Sequence, residues 1–247
     1  MASVFVRRVL CLCLLALTLC ACTTMRQPRE ATWDPLERWN RRVFAFNDTL
    51  DRFIMKPVAD AYLKAVPSPM RTAVTNFFDN ITYINVIANS FLQGKGKQGF
   101  ADTGRFIINS TVGLGGLVDV ATAAGVPRSD EDFGQTLAVW GFGEGAYLML
   151  PLLGPSTFRD APGYAFSAAV HPFTYWSGEP VATASLGALA VVDQRAQVKG
   201  AFELINAAAL DRYIFIREAY RQRRIYLIYD GNPPVRVLEV EKPAPAK

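Results

Sequence analysis

Residues 34–53 place Leu36, Trp39, Val43, Phe46, Leu50 and Phe53 at alternating spacings of three and four, the period of one helical face. DPLERWN supplies the start: Asp34 to accept from free amides, Pro35 at the first helical position, and Glu37 where a capping-box acid reaches back. Asn40, Phe44, Asn47 and Asp51 fall on the neighbouring face, and the apolar stripe reads as the buried side of an amphipathic helix. VPSPMRTAVTNFFDNI predicts a second helix, capped by Ser68 with Pro69 first in it, burying Ala73, Val74, Phe77, Phe78 and Ile81. NVIANSFLQGK predicts a short helix ending at Gly94, and Lys97 to Thr111 carries Phe100, Gly104, Ile107 and Ile108 with Arg105 and Asn109 one turn apart. AFELINAAALDRYIFIREAYRQRR predicts a long helix with Tyr213, Ile216 and Tyr220 on one side and Arg217, Arg221 and Arg224 on another. Strand-like patterns occur in YLMLPLL, which suits a hairpin, and in RIYLIY. No repeat of fixed period appears, and the class is mainly α.

Three charge-free runs of 13 or 14 residues interrupt this pattern: FIINSTVGLGGLV, GAYLMLPLLGPSTF and PVATASLGALAVV. As helices they would reach roughly 20 Å, against a hydrocarbon core of about 30 Å. They fit either a globular core or segments lying within one leaflet. Backbone groups freed by their glycines and prolines then need protein or a water-filled cavity around them.

The N-terminus sets the compartment. Arg7 and Arg8 precede a short apolar run ending in Leu19, Cys20, Ala21 and Cys22, which reads as a secretory signal with a lipobox. Cleavage would divide the chain into signal peptide 1–21, lipidated Cys22 with a polar linker to residue 33, a body over 34–230, and a proline- and lysine-containing tail over 231–247. Thr23, in place of the Asp that retains enteric lipoproteins at the inner membrane, gives an outer-membrane address. All four cysteines lie at or before the cut, so the mature body has no disulfide, thiol nucleophile or cysteine metal site. Of 26 basic groups two leave with the signal, against 22 acids, which gives no footprint for nucleic acid.

Candidate chemistry is thin. In STVGLGGLVDVA, Gly116 precedes Leu117 rather than the Lys of a phosphate loop, and Val118 stands where a dinucleotide fingerprint starting at Gly113 needs Gly or Ala. DFG at Asp132 has no accompanying kinase motifs. His171, the only histidine, reads as a turn residue, and the acid run Asp130, Glu131, Asp132 as a solvated turn. Neither a cofactor nor a metal is called for.

In order, DPLERWNRRVFAFNDTLDRFIMKPVADAY, VPSPMRTAVTNFFDN, FLQGK, GRFIINSTVGLGGLVDVA, DFGQTLAVWGFGEGAYLMLPLLGPSTFRD and DRYIFIREAYRQRR resemble the MlaA/VacJ family of outer-membrane lipoproteins, from about Asp34 to Arg224. Trp39, where Phe is commoner, and TYINVIAN, where a proline-containing variant is expected, are local departures. The resemblance implies a single ring-shaped helical domain with amphipathic helices embedded in one leaflet around a central channel. It implies removal of mislocalised phospholipid from the outer leaflet and its passage to the periplasmic carrier MlaC, then to the inner-membrane ABC complex MlaFEDB, with porin trimers as neighbours and no catalysis. By motif, Asn40, Phe44, Phe46 and Asn47 map to a ridge beside the channel. Arg105, Asn109, Ser110, Gly113, Gly115 and Gly116 are candidates for its wall, where Leu at Gly115 or Gly116 would block passage and leave the fold intact. Arg217, Arg221 and Arg224 read as a solvated basic face or as contacts to lipid phosphate or an acidic partner. The alternatives are a lipid hydrolase or acyltransferase drawing on Ser110, Ser156, Ser167 and His171, and a purely structural lipoprotein.

Overall fold

A computed structural model describes residues 34–175 and 179–234. The segments expected as signal peptide and linker, Cys22 among them, and the tail beyond residue 234 lie outside the described residues.

The first helix, α1 (Glu37–Leu50), runs through a five-residue π turn, Asp51–Met55, into α2 (Lys56–Ala65). Pro57 explains the wide turn: it lacks an N–H, and its ring crowds the carbonyl four residues back. The Lys56 amide accordingly reaches the carbonyl of Asp51, five residues behind it. The start differs in detail from a capping box. Asp34 Oδ1 accepts from the Leu36 amide at 3.1 Å, while Glu37 pairs with Arg41 at 2.7 Å instead of reaching back.

The two helices predicted between Ser68 and Gly94 are one, α3 (Ser68–Leu92), of 25 residues. Nothing in ITYIN breaks a helix, and Ser68 is the first helical residue, making no side-chain cap. Gly94 ends the turn with φ +76. The chain then doubles back as α4 (Gly96–Thr111), which packs along α3. Two short helices follow, α5 (Val120–Ala123) and α6 (Phe133–Val139), then an antiparallel hairpin, β1 (Tyr147–Leu150) and β2 (Gly154–Thr157), with Tyr147 opposite Thr157. The hairpin is the predicted one, so the charge-free run that contains it is not a helix. The remaining elements are α7 (Pro162–Val170), a 3-10 turn (Pro172–Tyr175), α8 (Pro180–Gln197), α9 (Lys199–Ala208) and α10 (Arg212–Ile228). RIYLIY, read as a strand, lies almost wholly in the last turns of α10, because Arg224 is held there by Asp132 and Asp160.

The apolar core is small: Val43, Tyr147, Met149 and Tyr213, with Phe44, Ile216 and Tyr220 against it. What seats α1 on the hairpin is a pair of side-chain amides. Asn40, with no exposed surface, donates to the Tyr147 carbonyl at 3.1 Å and accepts from the Met149 amide at 2.8 Å. Two turns on, Asn47 donates to the Leu150 carbonyl at 2.9 Å and accepts from the Leu152 amide at 2.9 Å. Each asparagine gives the hairpin one donor and one acceptor, as a peptide group would, and Asn40 spends its second N–H on Asp34 Oδ1 at 3.1 Å. The described sheet has two strands, so the Tyr147 carbonyl and the Met149 amide pair with Asn40 rather than with a further strand.

Asn40→Leu leaves a buried amide and a buried carbonyl unpaired, a loss of about 2–6 kcal/mol at roughly 1–3 per orphaned group. Asn47→Leu, at the more open end, loses less. Urea unfolding of both variants checks the order, and equal losses would count against the clamp.

Candidate functional site

The polar residues are inside and the large apolar ones outside. Along α4 the buried face is Gly99, Asp102, Arg105 and Asn109, while Phe100 and Ile107 point outward, Phe100 with 73% of its surface exposed. On α1 the stripe expected to be core divides: Val43 is buried, but Trp39 and Phe46 are exposed, and so is Phe53 in the π turn. The helix turns its amide face inward. On α8 the apolar half from Val181 to Val192 contains no buried residue; the buried positions are Asp193 and Ala196. Exposed apolar surface on this scale marks contact with lipid or partner. No described helix is long and apolar enough to cross a membrane.

The interior polar groups satisfy one another. Asp102 on α4 accepts from Tyr83 (2.8 Å) and Ser90 (2.8 Å) of α3 and from Ser129 (2.7 Å). Arg105 donates to the Val126 carbonyl at 2.8 Å and to Asp119 at 2.5 Å, and Asn109 donates to Asp119 at 3.0 Å and accepts from the Ala121 amide at 2.9 Å. Burial alone would raise the Asp119 carboxyl, but the Thr122 hydroxyl and amide, Asn109 and the Arg105 charge outweigh it and bring it to about 2.

This network closes the loop between α4 and α5. Leu114, Gly115 and Gly116 take φ 56, 74 and 95, three successive left-handed residues. A Cβ on Gly116 would lie 2.5 Å from the Asn80 Cβ, and one on Gly113 would lie 2.3 Å from the Val118 carbonyl oxygen. Gly115 meets nothing within 4 Å. The glycines thus serve close packing and a turn, and the loop presents Val112, Leu114, Leu117 and Val118 outward. The expectation that Gly116→Leu leaves the fold intact is overturned by the Asn80 contact.

Several candidate positions have roles other than those expected. Asn40 is fully buried on the hairpin and cannot face a channel, Asn47 clamps the same hairpin, and Phe44 packs edge-on against Tyr213 at 5.9 Å; Phe46 alone of the four points outward. Arg105 and Asn109 border a cavity of only about 20 Å³, room for a water and no lipid, and Ser110 Oγ accepts from Asn80 at 2.9 Å. The basic side of α10 is neither solvated nor open to phosphate. Arg217 pairs with Glu218 (2.7 Å) and Asp34 (3.5 Å), Arg221 with Glu144 (3.1 Å), and Arg224 with Asp132 (3.0 Å) and Asp160 (3.3 Å). Asp132, which also caps α6, and Glu131, buried and bonded by Lys95, Gln93 and Gln98, are not a solvated turn. His171 follows α7, its Nδ1 accepting from the Phe173 amide at 3.2 Å, and burial lowers its pKa.

A roomier cavity, about 320 Å³, opens between α2, α3 and α8 and is lined by Tyr62, Ser68, Arg71, Thr72, Thr75 and Asp193, among others. Asp193 is buried and accepts from Tyr62 (2.9 Å), Thr75 (2.8 Å) and Gln197 (2.8 Å). Burial first, then the bond to Asp193, pushes the Tyr62 hydroxyl up to about 12. Arg71 caps the end of α2 through one nitrogen, on the Leu63 (2.9 Å) and Val66 (2.7 Å) carbonyls. Periodicity did not mark this cavity; its hydroxyl row, Ser68, Thr72 and Thr75, was the available signal.

Two measurements test these assignments. Gly116→Ala is expected to lose about 2–4 kcal/mol, combining a left-handed alanine with overpacking, whereas Gly115→Ala loses only about 1–2; similar losses in chemical unfolding would contradict the packing. Asp119, depressed in the fold from 3.8 to about 2, contributes stability above about pH 4 that is lost as pH falls towards 2. Asp119→Asn should be less stable by about 1–2 kcal/mol at pH 7, and the gap to wild type should close over that acidic window. A gap independent of pH would refute it.

Comparison with known proteins agrees with the fold. Residues 32–227 match the family described as MlaA lipoprotein. The chain is 35% identical over 218 residues to the "Intermembrane phospholipid transport system lipoprotein MlaA" of Shigella flexneri, covering 87% of this chain and 86% of that one, with the same figures for the protein of that name from Escherichia coli (strain K12). The Haemophilus influenzae protein of that name is 34% identical over 222 residues, covering 88% of each chain. A solved structure described as "Structural basis for maintenance of bacterial outer membrane lipid asymmetry" superposes with a TM-score of 0.68 at 36% identity, over 81% of this chain and 100% of that one. On these matches, and with the mainly helical fold they share, the chain belongs to the MlaA lipoprotein family.

Proposed function

We propose that this protein moves phospholipid: it takes lipid mislocalised in the outer leaflet of the outer membrane and passes it to a periplasmic carrier, keeping the membrane asymmetric. The observation that carries the reading is the reversed distribution of polarity, with large apolar side chains outward on helices too short to span and polar groups turned in. A body of this kind sits in one leaflet, its interior offering a lipid headgroup water and hydrogen bonds while the acyl tails stay in apolar surroundings. That arrangement avoids stripping a charged group of water, a cost of several kcal/mol. The hydroxyl-lined cavity between α2, α3 and α8, of about 320 Å³, offers room along that path. No covalent step is needed, and direction comes from the receiving side.

The names and subject of the similar proteins, phospholipid transport and lipid asymmetry, support this reading. The protein's address is the outer membrane, anchored through lipid on Cys22 in the periplasmic leaflet. Its partners are the periplasmic carrier MlaC, the inner-membrane MlaFEDB complex that MlaC feeds, and porin trimers.

Thr72 tests the path. Its hydroxyl bonds only the Ser68 carbonyl of its own helix, at 3.1 Å, so Thr72→Trp fills the cavity and removes no bond between helices. Wild-type protein purified in mild detergent is expected to carry phospholipid at near-stoichiometric level by mass spectrometry. The variant should carry at least several-fold less at an unchanged Tm. Wild-type protein with no more lipid than an unrelated lipoprotein would sink the transport reading; a variant loaded like wild type would sink this cavity as the path.

A further inference from the structure

A second cavity, of about 140 Å³, lies where the π turn meets the end of α8 and the starts of α9 and α10. Roughly 10–15 Å³ is enough for one water, so it has room for a small polyatomic group. Its walls hold five cations, Arg52, Lys56, Arg195, Lys199 and Arg212, with the acids Asp48, Asp51 and Glu203 and the ring of Phe202. Carboxylates gather the cations in pairs. Asp48 takes Arg52 on one oxygen at 3.1 Å and Arg212 on the other at 2.7 Å, and Asp60 does the same for Lys56 at 3.2 Å and Lys199 at 2.6 Å. Arg195 is held by two bonds to Asp51 and lies over the Phe202 ring at 4.3 Å.

One negative charge shared by two positive ones leaves a surplus at each bridge. Glu203 reduces it little, since its contact with Lys199 is 3.9 Å and its side chain is mostly exposed. An ammonium has three donors and a guanidinium five, so one carboxylate contact apiece leaves donors over. Arg212 shows this directly: its Nε is closed to solvent and has no hydrogen-bond partner. Clustered lysines and arginines with unspent donors are the chemistry that holds phosphate oxygens.

We infer that this cavity binds a phosphate oxyanion, the phosphodiester of an acidic phospholipid headgroup, through Lys56, Lys199, Arg52 and Arg212. The lipid as source rests on the transport reading above; the anion chemistry does not. The π turn and the α8–α9 junction bring the four together from three parts of the chain, which no spacing in the sequence announces.

The test titrates the full-length lipoprotein, in a nonionic detergent, with inorganic phosphate, glycerol 3-phosphate and short-chain phosphatidylglycerol, using calorimetry. Lys56 and Lys199 are partly exposed, with 50% and 38% of their side-chain surface open, so removing their charge leaves the fold intact. Phosphatidylglycerol should bind wild type, bind Lys56→Gln/Lys199→Gln at least tenfold more weakly at unchanged Tm, and recover in Lys56→Arg/Lys199→Arg. If the double variant fails to fold, Lys56→Gln alone decides in the same way. Inorganic phosphate bound as tightly as the lipid, and lost in the same variant, keeps the site and names free phosphate as its source. Equal affinity of wild type and the glutamine variant for every probe, or no binding at all, overturns the proposal. The phosphate titration needs no transported lipid, so a failure of the transport reading is seen separately, in the lipid content of purified wild-type protein.

Discussion

A protein that turns its large apolar side chains outward has to hold itself together through polar contacts. The apolar core, centred on Val43, Tyr147, Met149 and Tyr213, is too small to organise a chain of this length. Around it, amides, carboxylates and guanidiniums join elements distant in sequence: Asn40 to the hairpin, Asp102 to α3, Arg105 to the loop before α5, Arg224 to Asp132 and Asp160. Charge-assisted and multiply bonded contacts of this kind are directional, so they fix the angle at which helices meet. The same groups would be costly inside a membrane if left unpaired, which is why the interior spends nearly all of its donors and acceptors on itself.

That economy explains which parts of the fold were legible. Helical periods showed where α1 and α4 lie, because a period of three and four needs only neighbours along the chain. The one long helix read over 201–224 is two, α9 and α10, parted where Ala209 turns extended and Asp211 caps a new start. The periods could not show which face turns inward. In a soluble domain the stripe through Trp39, Phe46 and Phe53 would be core, and here it is surface. The arginines of α10 misled for a related reason: their carboxylates, Asp34, Glu144, Asp132 and Asp160, come from elements far up the chain, so sequence shows the positive charge alone. The boundary missed between Ile81 and Asn85 reflects an expected break for which no residue there supplies the chemistry.

The site was legible in kind and misplaced in position. Gly113 and Gly116 matter, as the sequence suggested, but as places where the α4–α5 loop closes on Asn109 and Asn80. Room for a ligand lies elsewhere, beside hydroxyls on α3 and beside cations drawn from the π turn, α8, α9 and α10. In both places the ends of helices supply the lining and the apolar helix bodies are left to face outward, a division of labour that suits a molecule bounded by lipid on one side and water on another.

The π turn between α1 and α2 has a geometric consequence of its own. By carrying one residue more than an α-helical turn, it acts as a phase shifter in what is otherwise a continuous rod. Removing a single residue from 51–55 would restore ordinary pitch and rotate everything downstream by about 100°. Ala59, buried in α2, would swing out of its seat and Val58 or Asp60 would swing in, so α2 could no longer lie against α8. A one-residue deletion there is therefore a change of angle between two halves of the molecule, and the reading frame of its surface is set by Pro57.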